Sequence, residues 1–232
     1  MLRVDDLSVA YGNVKALEGV NLEVAQRGVL HGVIGPNGAG KSTLMDAITG
    51  RRKPTRGRVF VNGQDITRHS VVQRRRLGMS RSFQRTSIFP GIRVGEQLEL
   101  VASQLGERDL AGIVETMELG RVYDETADSI AYGDQRRVDI ALALLGQPTL
   151  MLLDEPAAGL STAETIGLFE HLSNVVRKRE VTALVVEHDV DAVFRFCDSI
   201  TALDLGRLLA SGSPAEVRSN PRVIAAYLGT AA

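Results

Sequence analysis

Only one cysteine, Cys197, occurs in 232 residues, so no disulfide can close within the chain and a reducing compartment fits. The thiol itself is expected to pack as a small residue on a helix face. No apolar run is long enough to span a bilayer, and the N-terminus lacks the apolar core of a secretory leader, so a soluble, cytosolic chain is expected. Net charge is nearly absent too: 27 Lys and Arg stand against 28 Asp and Glu, leaving −1 and no whole-chain pull toward nucleic acid. No aromatic interleaves the run Arg74 to Arg76, which is therefore expected as a solvated face rather than a nucleic-acid groove. Internal repeats, low-complexity segments and a guanine-reading N-K-x-D motif are missing as well. With 44% hydrophobic and 24% charged residues, the chain suits one large α/β domain, alone or with a lobe.

What is present centres on Val29 to Gly50. The apolar run Val29 to Ile34 predicts a buried strand, and from Thr43 the apolar residues Leu44, Ala47 and Ile48 fall at helix spacing. Between them lies G-x-x-x-x-G-K-S: Gly35, Pro36, Asn37, Gly38, Ala39, Gly40, Lys41 and Ser42. Strand, glycine-rich loop and helix in that order form a phosphate cradle. Glycines let backbone N–H groups converge on a β-phosphate, and the helix start adds unpaired N–H groups and a positive dipole end. Lys41 would reach the β- and γ-phosphates, and the Ser42 hydroxyl would ligate Mg²⁺.

Ahead of this cradle, LSVAYG and GVNLEVA alternate as half-buried antiparallel strands do. Tyr11 ends the first; a strand-end tyrosine packs an edge as readily as it offers adenine a flat ring. Behind the cradle, GRVFVNGQDI reads as a hairpin turning at Asn62-Gly63. Gln84 closes a short strand, where its amide could reach Mg²⁺ or an attacking water. Helical segments follow, at Val94 to Leu105, Asp109 to Leu119 and Asp134 to Leu145. The uninterrupted run Leu150 to Leu153 predicts a strand buried on both faces of a parallel sheet, with Asp154 and Glu155 at its ligand end. One of these acids is expected to order Mg²⁺ and the other to polarise water. A long amphipathic helix from Ser161 to Arg179 leads to VTALVVEHD, whose His188 again stands past a strand end; the other three histidines carry no signal. The tail holds a strand pair around LDLGRLLASG, then short helices from Pro214 and from Pro221.

Two stretches, SIAYGDQRR at 129–137 and LMLLDEP at 150–156, resemble the ATP-binding subunits of ABC transporters, and the resemblance covers nearly the whole chain. It implies an α/β fold, a P-loop NTPase (RecA-like) core with an N-terminal antiparallel β subdomain and an inserted helical lobe. The expected division is one ABC ATPase domain over 1–232, with 1–85 and 148–232 as core and 86–147 as the lobe. The resemblance implies that Tyr11 stacks on adenine and that Gly35 to Thr43 bind nucleotide. Gln84 would couple the site to the membrane partner and touch the metal. Asp154 would hold Mg²⁺, Glu155 would be the general base, and His188 the γ-phosphate switch. Ala131, Tyr132, Gly133 and Asp134 fall where the family's signature contacts the opposite subunit's ATP; Ala158, Gly159, Leu160 and Ser161 fall at the loop crossing the dimer interface.

The usual signature reads LSGGQ; here IAYGD lacks the serine hydroxyl and the first glycine, and the interface loop ends in Ser161 where Asp is common. These departures, with DEPAAGL, RSFQ and NPRVIAAYLG, resemble one branch, the importers of branched-chain (hydrophobic) amino acids, although the helical lobe is short for it. The implied role is a motor on the cytoplasmic face of the membrane. It would pair head to tail with itself or a second ATPase, drive separate permease subunits and serve a periplasmic binding protein indirectly. The competing reading is a soluble ABC ATPase acting on nucleic acid or ribosomes. Such proteins typically carry paired cassettes or a long coiled-coil insertion, and neither is expected here.

Overall fold

The computed structural model describes residues 1–83 and 87–228. The chain runs β1 (Leu2–Tyr11), β2 (Val14–Val24), β3 (Leu30–Ile34), α1 (Lys41–Thr49), β4 (Arg56–Val61), β5 (Gln64–Asp65), α2 (Val71–Arg76) and β6 (Met79–Ser82). Three helices follow, α3 (Val94–Leu105), α4 (Leu110–Thr116) and α5 (Tyr132–Leu144). It then continues through β7 (Leu150–Asp154), α6 (Thr162–Lys178), β8 (Thr182–Val186), α7 (Val190–Phe196), β9 (Ser199–Asp204), β10 (Arg207–Gly212), α8 (Pro214–Arg218) and α9 (Pro221–Leu228). Among the described residues, no helix is long and apolar enough to cross a membrane.

Two sheets result. The alternating N-terminal strands make an antiparallel sheet in the order β2-β1-β4-β5, with Asn62 and Gly63 turning β4 into β5 at positive φ. The apolar runs make a second sheet, β10-β9-β3-β8-β7-β6, parallel except for the β9–β10 pair. β3, β7 and β8 are buried at every residue, as strands covered on both faces must be. Side chains on one face join α1 and the antiparallel sheet in one hydrophobic cluster; those on the other join α3, α5, α6 and α7 in a second. Leu44 and Ile48, four apart on α1, fall on one face, and burying each fully stabilises by roughly 1.5–3 kcal/mol.

Helix ends account for their free N–H groups in contrasting ways. α2, α6 and α8 each carry a reciprocal capping box, Ser70 with Gln73, Ser161 with Glu164 and Ser213 with Glu216. Asp109 and Asp189 cap α4 and α7, and α3 has its first N–H groups taken by the carbonyls of Glu125 and Tyr123. α1 and α5 receive no side-chain cap, because Gly40 and Ala131 occupy their N-cap positions. α4 is shorter than its apolar pattern predicts. Glu118 turns left-handed, and the Leu119 N–H closes back on the Val114 carbonyl.

Arg74 corrects the expectation of a solvated arginine face. Its side chain is 1% exposed, and its guanidinium donates to the carbonyls of Ala47 (2.8 Å), Ile48, Thr67 (3.0 Å) and His69 (3.1 Å). It thereby satisfies the last carbonyls of α1, which carry the negative end of that helix. Burial lowers its pKa to about 10, which still leaves it charged at neutral pH. Arg76, two residues on, is exposed. Arg74→Met should therefore cost about 2–4 kcal/mol in urea unfolding, by stranding buried carbonyls, whereas Arg76→Met should change stability by less than ~0.5 kcal/mol.

Candidate nucleotide site

Strand order builds the site. β8 lies between β3 and β7, all three parallel, so their C-terminal ends open side by side. β3 delivers the glycine loop, β7 delivers Asp154 and Glu155, and β8 delivers Glu187 and His188. A cleft of about 230 Å³ lies there, lined by Ala16, Asn37 to Thr43, Glu155 and His188.

The loop is held open by its glycines. Gly35 has φ 154°, and a Cβ there would stand 2.2 Å from the Leu203 carbonyl oxygen, a separation no side chain tolerates. Gly40 has φ 101° at the start of α1, where a Cβ would meet the Ala16 carbonyl at 2.7 Å. The Lys41 ammonium donates to the carbonyls of Gly35 (2.6 Å) and Pro36 (3.1 Å), folded against its own loop. Burial lowers its pKa, while the charges of Glu155 and Asp154 act in the opposite direction. Ser42, one residue along, is exposed.

Glu155 sits at φ 50°, with its N–H on the Val186 carbonyl at 2.8 Å, and its Oε1 lies 2.8 Å from His188 Nε2. Asp154 is engaged differently. Arg81 of β6 spans two carboxylates, with Nη2 2.7 Å from Asp154 Oδ2 and Nη1 2.6 Å from Asp46 Oδ1 on α1. Sequence reasoning missed Arg81, although an arginine inside a four-residue strand of otherwise buried side chains must pair with something. Arg52 was missed as well. It donates to the Ala10 carbonyl at 2.7 Å and lays its guanidinium 4.1 Å from the Tyr11 ring centroid, so one face of that half-exposed ring is already covered.

The signature segment lies apart from this cleft on the same chain, at the start of α5. Ala131 is the N-cap; Tyr132 is exposed, its ring against Gly159 of the interface loop and its face toward Arg136. The Gly133 Cα faces Glu164 and Leu160 across a narrow gap. Asp134 is turned inward: its side chain is 3% exposed and paired with Arg121 and Arg137. Ala158 is half-buried, Gly159 and Leu160 follow, and Ser161 caps α6. Gln84 lies outside the described residues.

The donors fit a nucleoside triphosphate and a divalent cation. Free N–H groups at the start of α1 and the Lys41 ammonium suit phosphate oxygens. The Ser42 hydroxyl and the Asp154 carboxylate are the hard oxygen ligands Mg²⁺ takes alongside phosphate and water. Among the described residues, no three His, Cys, Asp or Glu side chains converge on a metal site of their own.

A glycine cradle beside an acid pair at the end of a buried parallel strand defines a P-loop nucleoside triphosphatase. The chain belongs to the ABC transporter family, whose model matches residues 17–158. Residues 207–232 also match the model described as branched-chain amino acid ATP-binding cassette transporter. Among relatives, the Escherichia coli (strain K12) high-affinity branched-chain amino acid transport ATP-binding protein LivG is 36% identical, with 100% of this chain and 98% of LivG aligned. BraF of Pseudomonas aeruginosa, of the same description, is 35% identical over 100% and 98%. The LivG alignment spans 253 positions for a chain of 232, so the relative carries residues without counterparts here. Among solved structures, the ADP conformation of MJ1267, an ATP-binding cassette of an ABC transporter, superposes with TM-score 0.89 at 29% identity, covering 99% of this chain and 98% of that one. A dimeric cassette, MJ0796 bound to ADP and Pi, superposes with TM-score 0.77 at 25% identity, covering 92% and 99%.

Lys41→Ala removes the ammonium that lies folded against the loop. Lys41→Ala should weaken ATP binding at least about tenfold by calorimetry, since charge-assisted phosphate contacts contribute roughly 1.5–3 kcal/mol. Unchanged affinity would remove Lys41 from the phosphate site.

Proposed function

We propose that this chain is the ATP-hydrolysing subunit of an importer of branched-chain or similar hydrophobic amino acids, acting on separate membrane permease subunits. The observation that carries this reading is the match of residues 207–232 to the branched-chain amino acid cassette model, in a chain aligned end to end with transport ATP-binding proteins. Adenine would stack on the Tyr11 face that Arg52 leaves open, and the loop N–H groups with Lys41 would hold the phosphates. Ser42, Asp154 and in this reading Gln84 would hold Mg²⁺, which when bound would supply neutralisation of negative charge on the phosphates. Glu155 would take the proton of the attacking water, and His188, already at hydrogen-bond distance from it, would orient that group toward the γ-phosphate.

In a head-to-tail dimer, each nucleotide would lie between the phosphate loop of one subunit and the Ala131–Tyr132–Gly133 turn of the other. Ala158 to Ser161 would cross the same interface. Hydrolysis then removes a contact that holds the dimer closed. The partner is another copy or a companion ATPase. Permease would engage the groove of about 640 Å³ between core and helical segment, which is lined by Val71, Val72, Arg81, Phe83, Val101 and Leu105. Its lining is largely apolar and includes Val72, which is exposed. The motor would thus sit on the cytoplasmic face of the membrane, with the periplasmic binding protein reached through the permease.

Glu155→Gln should keep ATP affinity and lower turnover by roughly 10²–10⁴; near-normal hydrolysis would exclude Glu155 as base. The transport reading is tested by ATPase rates of the purified chain, alone and reconstituted with permease, companion ATPase and binding protein. Turnover should be low alone and rise in the complex when the binding protein carries a branched-chain amino acid. Val72→Arg should abolish that rise while leaving ATP affinity unchanged. A fast ATPase indifferent to permease and stimulated by RNA or DNA would favour the soluble reading instead.

A further inference from the structure

Glu187 is a buried carboxylate beside the site with no part in the chemistry above. It follows β8 directly and is 4% exposed. Its Oε1 accepts the Ala157 N–H at 2.7 Å and its Oε2 accepts the His188 N–H at 3.1 Å. Ala157 is two residues past Glu155, on the segment that leads into the interface loop. One carboxylate therefore joins the backbone that carries Glu155 to the backbone that carries His188. Burial raises its pKa, and the two N–H groups act against that rise.

Its neighbours leave little slack. The Glu155 N–H is fixed on the Val186 carbonyl at 2.8 Å, and the Ala158 N–H closes on the Glu155 carbonyl at 3.1 Å. Beyond them, the ends of β7 and β8 meet through the Glu187 bridge and the Glu155–His188 side-chain contact. His188 is half-exposed, so burial does little to fix its ring. A ring that must stay near 2.8 Å from Glu155 needs its own backbone held.

We propose that Glu187 is a positioning residue for the Glu155–His188 pair: its carboxylate ties the two backbone segments together and sets the separation at which the two side chains meet. The inference rests on the reading of that pair given above. Two acceptor oxygens are required, one for each N–H. A glutamine supplies one and turns an NH₂ group toward the other. An alanine supplies neither.

The test is a double-mutant cycle on the full-length chain, read as single-turnover ATP hydrolysis, with ATP affinity and thermal midpoint measured for every variant. Glu187→Gln should slow hydrolysis roughly 10- to 100-fold, leave ATP affinity within about twofold, and keep a near-native thermal midpoint because shape and volume are retained. Glu187→Ala should be slower still. In a His188→Ala background, Glu187→Gln should slow hydrolysis by less than about threefold, because the pair it positions is already broken. Equal factors in both backgrounds would overturn the proposal and leave Glu187 a structural residue. Normal hydrolysis by Glu187→Gln beside a slow His188→Ala would overturn it while sparing the reading of the pair. Normal hydrolysis by His188→Ala would remove the pair itself, and the positioning role with it.

Discussion

Burial of the central strands on both faces is the constraint everything else obeys. β3, β7 and β8 expose none of their residues, so a group that must meet phosphate or water has no place except the strand ends. Each strand is five residues long and parallel to its neighbour, which brings those ends level. The glycine loop, the acid pair and the Glu187–His188 step are then adjacent without any long-range design of their own. Electrostatics sharpens the arrangement: the charges of Asp154 and Glu155 raise the proton affinity of Lys41 against the lowering effect of burial.

Much of this was legible because the signals are local. Short uninterrupted apolar runs located the buried strands, alternation located the antiparallel sheet, and α3 spans Val94–Leu105 as its pattern predicts. The glycine loop is legible because its motif is contiguous, although the Leu203 and Ala16 carbonyls that crowd Gly35 and Gly40 come from elsewhere in the chain.

The failures share a different cause, namely partners far away in sequence. Arg74 reads as one of three solvated arginines until the carbonyls of Ala47 and Ile48 arrive from α1 to meet it. Arg81 and Glu187 likewise acquire meaning only once β6, β7 and β8 are side by side. The reading of His31 as a residue without a functional signal agrees with its setting: it lies between the hydroxyls of Ser199 and Thr201, and burial lowers its pKa to about 4, which keeps it neutral inside the sheet.

The contrast among helix caps has a consequence for symmetry. Serine, aspartate, asparagine or main chain closes the starts of the other helices described above, while α1 and α5 are left open by Gly40 and Ala131. Head-to-tail pairing would set the open start of α1 in one subunit opposite the open start of α5 in the other, so that each compartment is assembled from two unlike halves. Two copies of this chain would make two equal compartments. Pairing with a different cassette would make two unequal ones, and in the proposed arrangement one inequality would come from this chain: the nucleotide held by the companion would meet Ala131, which has no hydroxyl to offer, whatever residue this chain's own nucleotide would meet in return.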